Sequence, residues 1–534
     1  MIPPQLRIAA AFLWGAAATL AQHRSAVAEK PVVLLTGLGS WHHPIATSNP
    51  EAQKFFDQGL TLVYSFNKHE ALRAFRKAAE LDPRAAMAYW GESMALGPYI
   101  NMDGDPDVQM KASCDAVQAG LKIAASGSVE RAWLDAAGTR CPAFADPSKY
   151  IRAMHDLAAR WPDDPDAQTL YAEALMLPVR WKWYGQDGKP AAGVPEAETV
   201  LEAVLRRHPQ HPGANHLYIH AVESSPAPER AVPSAQRLMA IVPSAGHMVH
   251  MPGHIWLATG DFNAAIVTNE RAVEVDRKYV AEEGLMGGYG MYVLHNMQFL
   301  VYGHAMQGNA AETRKAAREM SASIQQHAAD MGEMADVMTT WLTLNQLRAN
   351  LWDDTLQLAK PNAPPSLAVW HLARGISFAM KGQPGEARKE QAEFEKVRGP
   401  LDRNMPWDTN HFGDVMDLAS VVLDARLESS PARAVPKWKR AVAMQDALVY
   451  DEPPAWYYPV RESLGGALLL SGDAAGAEAV FREGMRRSPN NGRMLFGLLE
   501  SLKAQKKTEA ARWAQGELNS AWKTADIQLR VKDL

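Results

Sequence analysis

Small and apolar residues recur along this chain at helical spacing, and their order predicts pairs of helices. In Ala52 to Pro83, Gly59 falls in a first apolar-periodic stretch, Ala71, Phe75 and Ala78 in a second, and Leu81-Asp82-Pro83 ends it. Positions three and four apart share one helix face, so each stretch presents a narrow apolar stripe. Small side chains let two antiparallel helices approach, an aromatic fills the gap beside them, and proline stops the second helix. The order returns near the C-terminus as Leu464-Gly465, Ala477, Phe481 and Pro489, with Gly472-Asp473 as the turn. Weaker copies are phased on Ala197 with Pro209, Ala231 with Pro243, Gly253 with Ala265 and Ala272, and Gly375 with Ala387.

On these residues the chain resembles the tetratricopeptide repeat superfamily over most of residues 50–520, as an exported, bacterial-type member. The resemblance implies an all-α fold, an α-solenoid of stacked antiparallel helix pairs whose first helices line a concave groove, with loops inserted. Residues 51–280 are expected to form an N-terminal array holding a histidine-rich segment. Residues 281–410 read as central repeats with insertions and 411–534 as a C-terminal array, with 29–50 as an extension ahead of them. Leu177 to Pro195, with Trp181, Trp183, Tyr184 and an Asp187-Gly188 turn, reads as an inserted loop. So does Glu282 to Tyr292, rich in glycine and methionine; the Pro361 to Pro365 and Gly399 to Trp407 stretches are further breaks. Loops of this length on a repeat array are expected to cover one face.

Composition changes this picture little, since 47% hydrophobic and 22% charged residues are ordinary for a folded globular chain. The N-terminus changes it more. Arg7, an apolar stretch from Ile8 to Ala21 and the small-x-small run Ala26-Val27-Ala28 read as a signal peptide over residues 1–28. The protein is therefore expected to be exported, periplasmic or secreted; an uncleaved anchor is the alternative. That stretch is shorter than the roughly 20 residues that span a bilayer, and no later run is longer, so an integral multi-pass membrane protein is excluded. Losing Arg7 and Arg24 would move the formal charge from −5 to −7, which disfavours nucleic acid as a partner. An oxidising compartment permits a bridge between Cys114 and Cys141, which fall on neighbouring predicted helices; two small buried thiols are the alternative.

Seven of the 17 histidines lie between His208 and His254. His216-x-x-x-His220 recurs as His250-x-x-x-His254, offset by 34 residues at both histidines, the length of one repeat. Each pair shares a helix face; Glu223 continues the first stripe and His247 the second. Stacking would place the second pair over the first, with axes about 8–10 Å apart. Imidazoles with one carboxylate make a site for zinc, copper or iron. His216, His220, His250 and His254 are the expected ligands, with His247 as an extra or supporting one and Glu223 as ligand or catalytic general base. Met248 and Met251 are expected to pack, being off the histidine face. Tyr218, His295, Asn296 and Tyr302 are expected to line the same groove. Pro252 leaves two possibilities: a kink among the histidines, or a helix that starts near Pro252 with His247 and His250 on a loop.

The sequence thus points to an exported repeat protein with a histidine-rich metal site in its groove, binding a ligand or an exported protein, peptide or small molecule. The alternatives are a metal-dependent hydrolase or oxidoreductase and a metal-free protein- or peptide-binding scaffold. No Ser-His-Asp elbow, phosphate loop, dinucleotide fingerprint or CxxC accompanies the repeats, so hydride, phosphoryl and thiol-redox chemistry lack support.

Overall fold

In the computed structural model, residues 30–101, 106–283, 289–331 and 333–534 are described. The expected signal peptide, residues 1–28, lies outside them. Helices begin where the sequence supplies a cap. Asn49 accepts from the Glu51 and Ala52 amides at 2.9 and 3.2 Å, and Pro50 starts the Pro50–Tyr64 helix. Asp164 with Pro165 and Ser430 with Pro431 repeat the arrangement of a polar residue before proline, and Asp164 caps the Ala167 amide at 3.1 Å. Consecutive helices pack in antiparallel pairs, Pro50–Tyr64 with Lys68–Leu81 and Arg461–Leu470 with Ala474–Arg487 among them.

The described chain divides into two units. One comprises residues 30–255 with Thr268–Val293; the other comprises Trp256–Val267 with Leu294–Leu534. Both use the same packing device. In the first unit the ring of Phe75, fully buried, lies between two glycines on flanking helices: a Cβ on Gly59 would stand 2.7 Å from it and a Cβ on Gly91 2.2 Å. In the second, Phe481 lies between Gly465 and Gly497, where a Cβ would come within 2.4 and 2.1 Å. Gly59, Phe75 and the Pro83 stop were legible in the sequence. Gly91 and Gly497, which clasp the rings from the following helix, complete the repeat. Around Phe481 a continuous apolar core runs through the second unit from Leu344 to Leu534.

Elsewhere the structure departs from the simple repeat. Leu177 to Pro195 is a loop, as expected: a 3-10 turn at Leu177–Val179 and a bridge between Tyr184 and Pro190 lead to the Val194–Arg207 helix. Glu282 and Glu283 end the Phe262–Glu283 helix and Tyr289 opens Tyr289–Met306, so the expected insertion is helical at both ends, with 284–288 outside the described residues. Past the Gly399 to Trp407 break, a short hairpin precedes the Phe412–Arg426 helix. Pro406–Trp407 pairs antiparallel with Asn410–His411 around Asp408, whose φ of 51° permits the tight turn. No described helix is long and apolar enough to cross a membrane.

Cys114, on the Pro106–Leu121 helix, is bonded to Cys141, just past Val129–Gly138, with Cα atoms 5.7 Å apart. The bridge joins residues separated by 27 in sequence. A loop of that size restricts the unfolded chain by about 3–4 kcal/mol. Reduction is therefore expected to lower the stability of the first unit by that amount, read as a shift of its urea midpoint with and without reductant; an unchanged midpoint would refute the estimate.

Candidate metal centre

His211 starts the site. Its Nδ1 accepts from the Ala214 amide at 3.1 Å, capping the Pro212–Glu223 helix, which carries His216 and His220 one turn apart. The second histidine segment is broken at Pro252, as expected, but His247 and His250 are not on a loop. A helix runs Gly246–His250, Met251 interrupts it, and Pro252–Thr259 continues beyond. His247 and His250 thus stand on helix ahead of the break and His254 after it. Gly246 is required where it stands: a Cβ there would lie 1.7 Å from Oδ1 of buried Asp276.

The break shifts the register expected from the 34-residue offset. His247, rather than His250, faces His216, with Nε2 atoms 3.1 Å apart. His254 comes beside His220, ring centroids 5.6 Å apart, and His250 Nε2 meets His254 Nε2 at 2.7 Å. All five imidazoles and Glu223 are buried, between 0% and 3% exposed.

Groups behind the rings fix their orientation. His216 Nδ1 donates to the Tyr64 carbonyl at 2.6 Å, which leaves its Nε2 unprotonated in the neutral ring. His250 Nδ1 lies 2.7 Å from Oδ1 of Asn269, a fully buried residue of the Phe262–Glu283 helix. Glu223 spans two rings: Oε1 is 3.1 Å from His220 Nδ1 and Oε2 is 2.7 Å from His254 Nδ1. His220 Nε2 is buried and has no hydrogen-bond partner among the described residues. Burial holds His220 down to about 3, and burial with the neighbouring His220 holds His216 well below the ordinary imidazole value, against the pull of the Tyr64 carbonyl. Burial also pushes the Glu223 carboxyl well up.

Two sets of these side chains bring ligand atoms within 4.8 Å of one another: His216, His220 and His247, and His220, Glu223 and His254. Either set could hold a metal ion. Four nitrogens around a tetrahedral ion at about 2.0–2.1 Å would stand about 3.3–3.4 Å apart, close to the observed 3.1 Å between His216 and His247.

Aromatic rings close the site. Phe66 stacks over the histidines, its centroid 4.4 Å from His216 and 5.2 Å from His247. Its φ of 55° is uncommon for a bulky residue, a local strain placed at the imidazoles. Trp181 and Trp183 of the inserted loop lie 6.0 and 5.7 Å from His220, and Tyr292 lies 4.5 Å from His247. Met248 and Met251 are fully buried packing residues.

Of the other expected groove residues, Tyr218 is placed differently. Tyr218, two residues from His216, points to the opposite helix face, where its hydroxyl donates to Glu202 at 2.6 Å. His295, Asn296 and Tyr302 stand on the Tyr289–Met306 helix within the second unit. There His295 packs on Phe299 at 5.0 Å, Asn296 is fully buried, and Tyr302 clusters with Phe262 and Met306.

Sequence reasoning missed Phe66, Asn269 and a further set within 4.8 Å, His43, Asp164 and Asp166. The Asp166 carboxylate already accepts from Trp41 Nε1 at 3.0 Å, Tyr64 Oη at 2.6 Å and His43 Nδ1 at 2.9 Å, and pairs with His211 Nε2 at 3.2 Å. Four donors saturate it, so this set is read as a structural tie. The run Trp41-His42-His43 was the available signal.

No family model matches this chain, and no curated protein does. Solved structures similar to it include a human IFIT1 dimer with m7Gppp-AAAA, at 11% identity, covering 90% of this chain and 92% of that one, TM-score 0.33. Yeast Tom70 follows at 12%, covering 87% and 96%, TM-score 0.32, and the APC/C hetero-tetramer Cut9-Hcn1 at 11%, covering 90% and 88%, TM-score 0.28. Scores this low carry no argument about function. The helix pairs, their glycine-clasped aromatics and their proline stops make this a tetratricopeptide-like all-α protein on its own geometry.

Proposed function

We propose that the first unit binds a transition-metal ion, zinc, copper or iron, through the Nε2 atoms of His216, His220 and His247, with His250 and His254 beside them. The observation that carries this reading is His220 Nε2: buried, without a hydrogen-bond partner among the described residues, and within reach of two further imidazoles. An unsatisfied buried polar atom costs about 1–3 kcal/mol, and an ion would remove that cost. Tautomers held from behind by a carbonyl, an amide oxygen and a carboxylate are the usual support of metal-bound histidines. On this reading Glu223 orients His220 and His254 and offsets the charge of the ion. A peptide groove lined by these histidines fits less well, because the rings are 0–3% exposed. The Cys114–Cys141 bridge supports the further proposal that the protein is exported, where such bonds persist.

Elemental analysis of the purified full chain tests the metal reading. One or more equivalents of zinc, copper or iron are expected in the wild type, and at least about a tenfold weaker affinity in His216→Ala and His220→Ala. Chelation should lower the melting temperature of the wild type and leave His220→Ala unmoved. A wild type that stays metal-free after equilibration with each ion in turn would sink the proposal.

A further inference from the structure

The five histidines form two groups, and one ion cannot serve both. Nε2 of His216 and Nε2 of His247 face each other at 3.1 Å, with His220 in the same set. His250 and His254 face each other separately, Nε2 to Nε2 at 2.7 Å. Nitrogens bound to a single ion at about 2.0–2.1 Å stand no more than about 4.2 Å apart. Among the described residues, no set of ligand atoms within 4.8 Å joins His250 to His216, His220 or His247. An ion held by those three therefore leaves His250 out.

The second group has its own reason to take a cation. His250 Nδ1 donates to the Asn269 amide oxygen at 2.7 Å, so in the neutral ring its Nε2 carries a lone pair. That nitrogen meets His254 Nε2, and two ring nitrogens so close repel unless a proton or a metal ion lies between them. Both rings are buried, which keeps bulk water from the pair. His254 is oriented from behind in the same way, its Nδ1 2.7 Å from Glu223 Oε2. Nδ1 tied to an oxygen, with Nε2 presented inward, is the usual support of a metal-bound imidazole. Glu223 extends it to both groups. Its other oxygen is 3.1 Å from His220 Nδ1, so one carboxylate stands behind a ring of each.

We infer, building on the metal reading above, that His250 and His254 supply two ligands of a second transition-metal ion, so that the first unit holds a pair of ions. Imidazole donors suit zinc and copper, with copper bound more tightly. The two positions lie side by side: ring centroids are 5.6 Å apart for His220 and His254, and 5.9 Å for His247 and His250.

Equilibrium dialysis of the metal-stripped full chain against zinc chloride and, separately, copper(II) chloride, followed by elemental analysis, counts the ions. Two equivalents are expected in the wild type, one in His250→Ala, one in His216→Ala and none in the double variant. Asn269→Leu, which removes the amide behind His250, should weaken one equivalent by about 10–100-fold and leave the other as it was. Circular dichroism melts confirm that the variants fold, and the wild-type count decides by itself where one does not. A single equivalent in the wild type, unchanged in folded His250→Ala, would overturn the second position and leave the first standing, with a shared proton between His250 and His254. Two equivalents retained in folded His250→Ala would also overturn it, and a wild type that takes up no ion would remove both positions together.

Discussion

Phe75→Ala should destabilise the first unit by about 3–5 kcal/mol, the cost of emptying a fully buried aromatic site whose surroundings cannot collapse. Collapse is blocked because the ring is held from both sides by backbone, at Gly59 and at Gly91. The same geometry predicts an unusual sign for Gly91→Ala. Alanine for glycine inside a helix ordinarily stabilises by about 1 kcal/mol. Here the new Cβ would stand 2.2 Å from the Phe75 ring, and Gly59 blocks the ring's retreat, so overpacking of about 1–3 kcal/mol outweighs the helix gain. Hydrogen exchange of the Lys68–Leu81 amides reads both effects within this unit. A Gly91→Ala protein as protected as the wild type would show that the clasp is slack.

That clasp marks how far the sequence could be read. Gly59, Phe75, Pro83 and their counterparts at Gly465, Phe481 and Pro489 are local signals, fixed by the turn-to-turn geometry of one helix pair, and the fold class followed from them. The faces of single helices were legible for the same reason: His216 and His220 share one, and Glu223 continues it. What was not legible depends on contacts between distant elements. The carbonyl that fixes His216 belongs to Tyr64, 152 positions earlier, and Phe66, which covers three imidazoles, belongs to the turn that follows. Nothing in the period of the histidine segment encodes either. The exchange of His247 for His250 opposite His216 has a nearer cause. A repeat offset assumes an unbroken helix, and Met251 with Pro252 interrupts this one between His250 and His254, the pair that the offset sets against His216 and His220.

Asp166→Ala should have an effect as large as the loss of Phe75 and reach further. The carboxylate is 2% exposed and takes four donors, from Trp41, His43, Tyr64 and His211. Burial alone would raise it, but His211 and His43 outweigh burial and hold it well below the usual carboxylate range. Removing it strands the buried donors of Tyr64 and His211 and the half-buried ones of Trp41 and His43, a loss of about 3–5 kcal/mol. The pH dependence carries the signature. A depressed carboxyl contributes stability that is present above its unfolded value near 3.9 and is lost as pH falls through the folded one, where the unfolded chain binds more protons. For His43, burial lowers the imidazole but Asp166 raises it by more, so the net shift is upward. Its contribution is complete below about pH 6.5 and disappears as pH rises through the folded value, where the folded chain binds more protons. The contribution of this tie to stability should therefore decline on both sides of a maximum near pH 5–6, and Asp166→Ala should remove both of its limbs. Tyr64 links this tie to the histidines, since its hydroxyl holds Asp166 while its carbonyl holds His216. Metal affinity in Asp166→Ala should fall although no candidate ligand has changed, and denaturant midpoints at pH 4, 6 and 8 beside metal titrations measure both. A variant within about 1 kcal/mol of the wild type at all three pH values would show that the four donors find other partners.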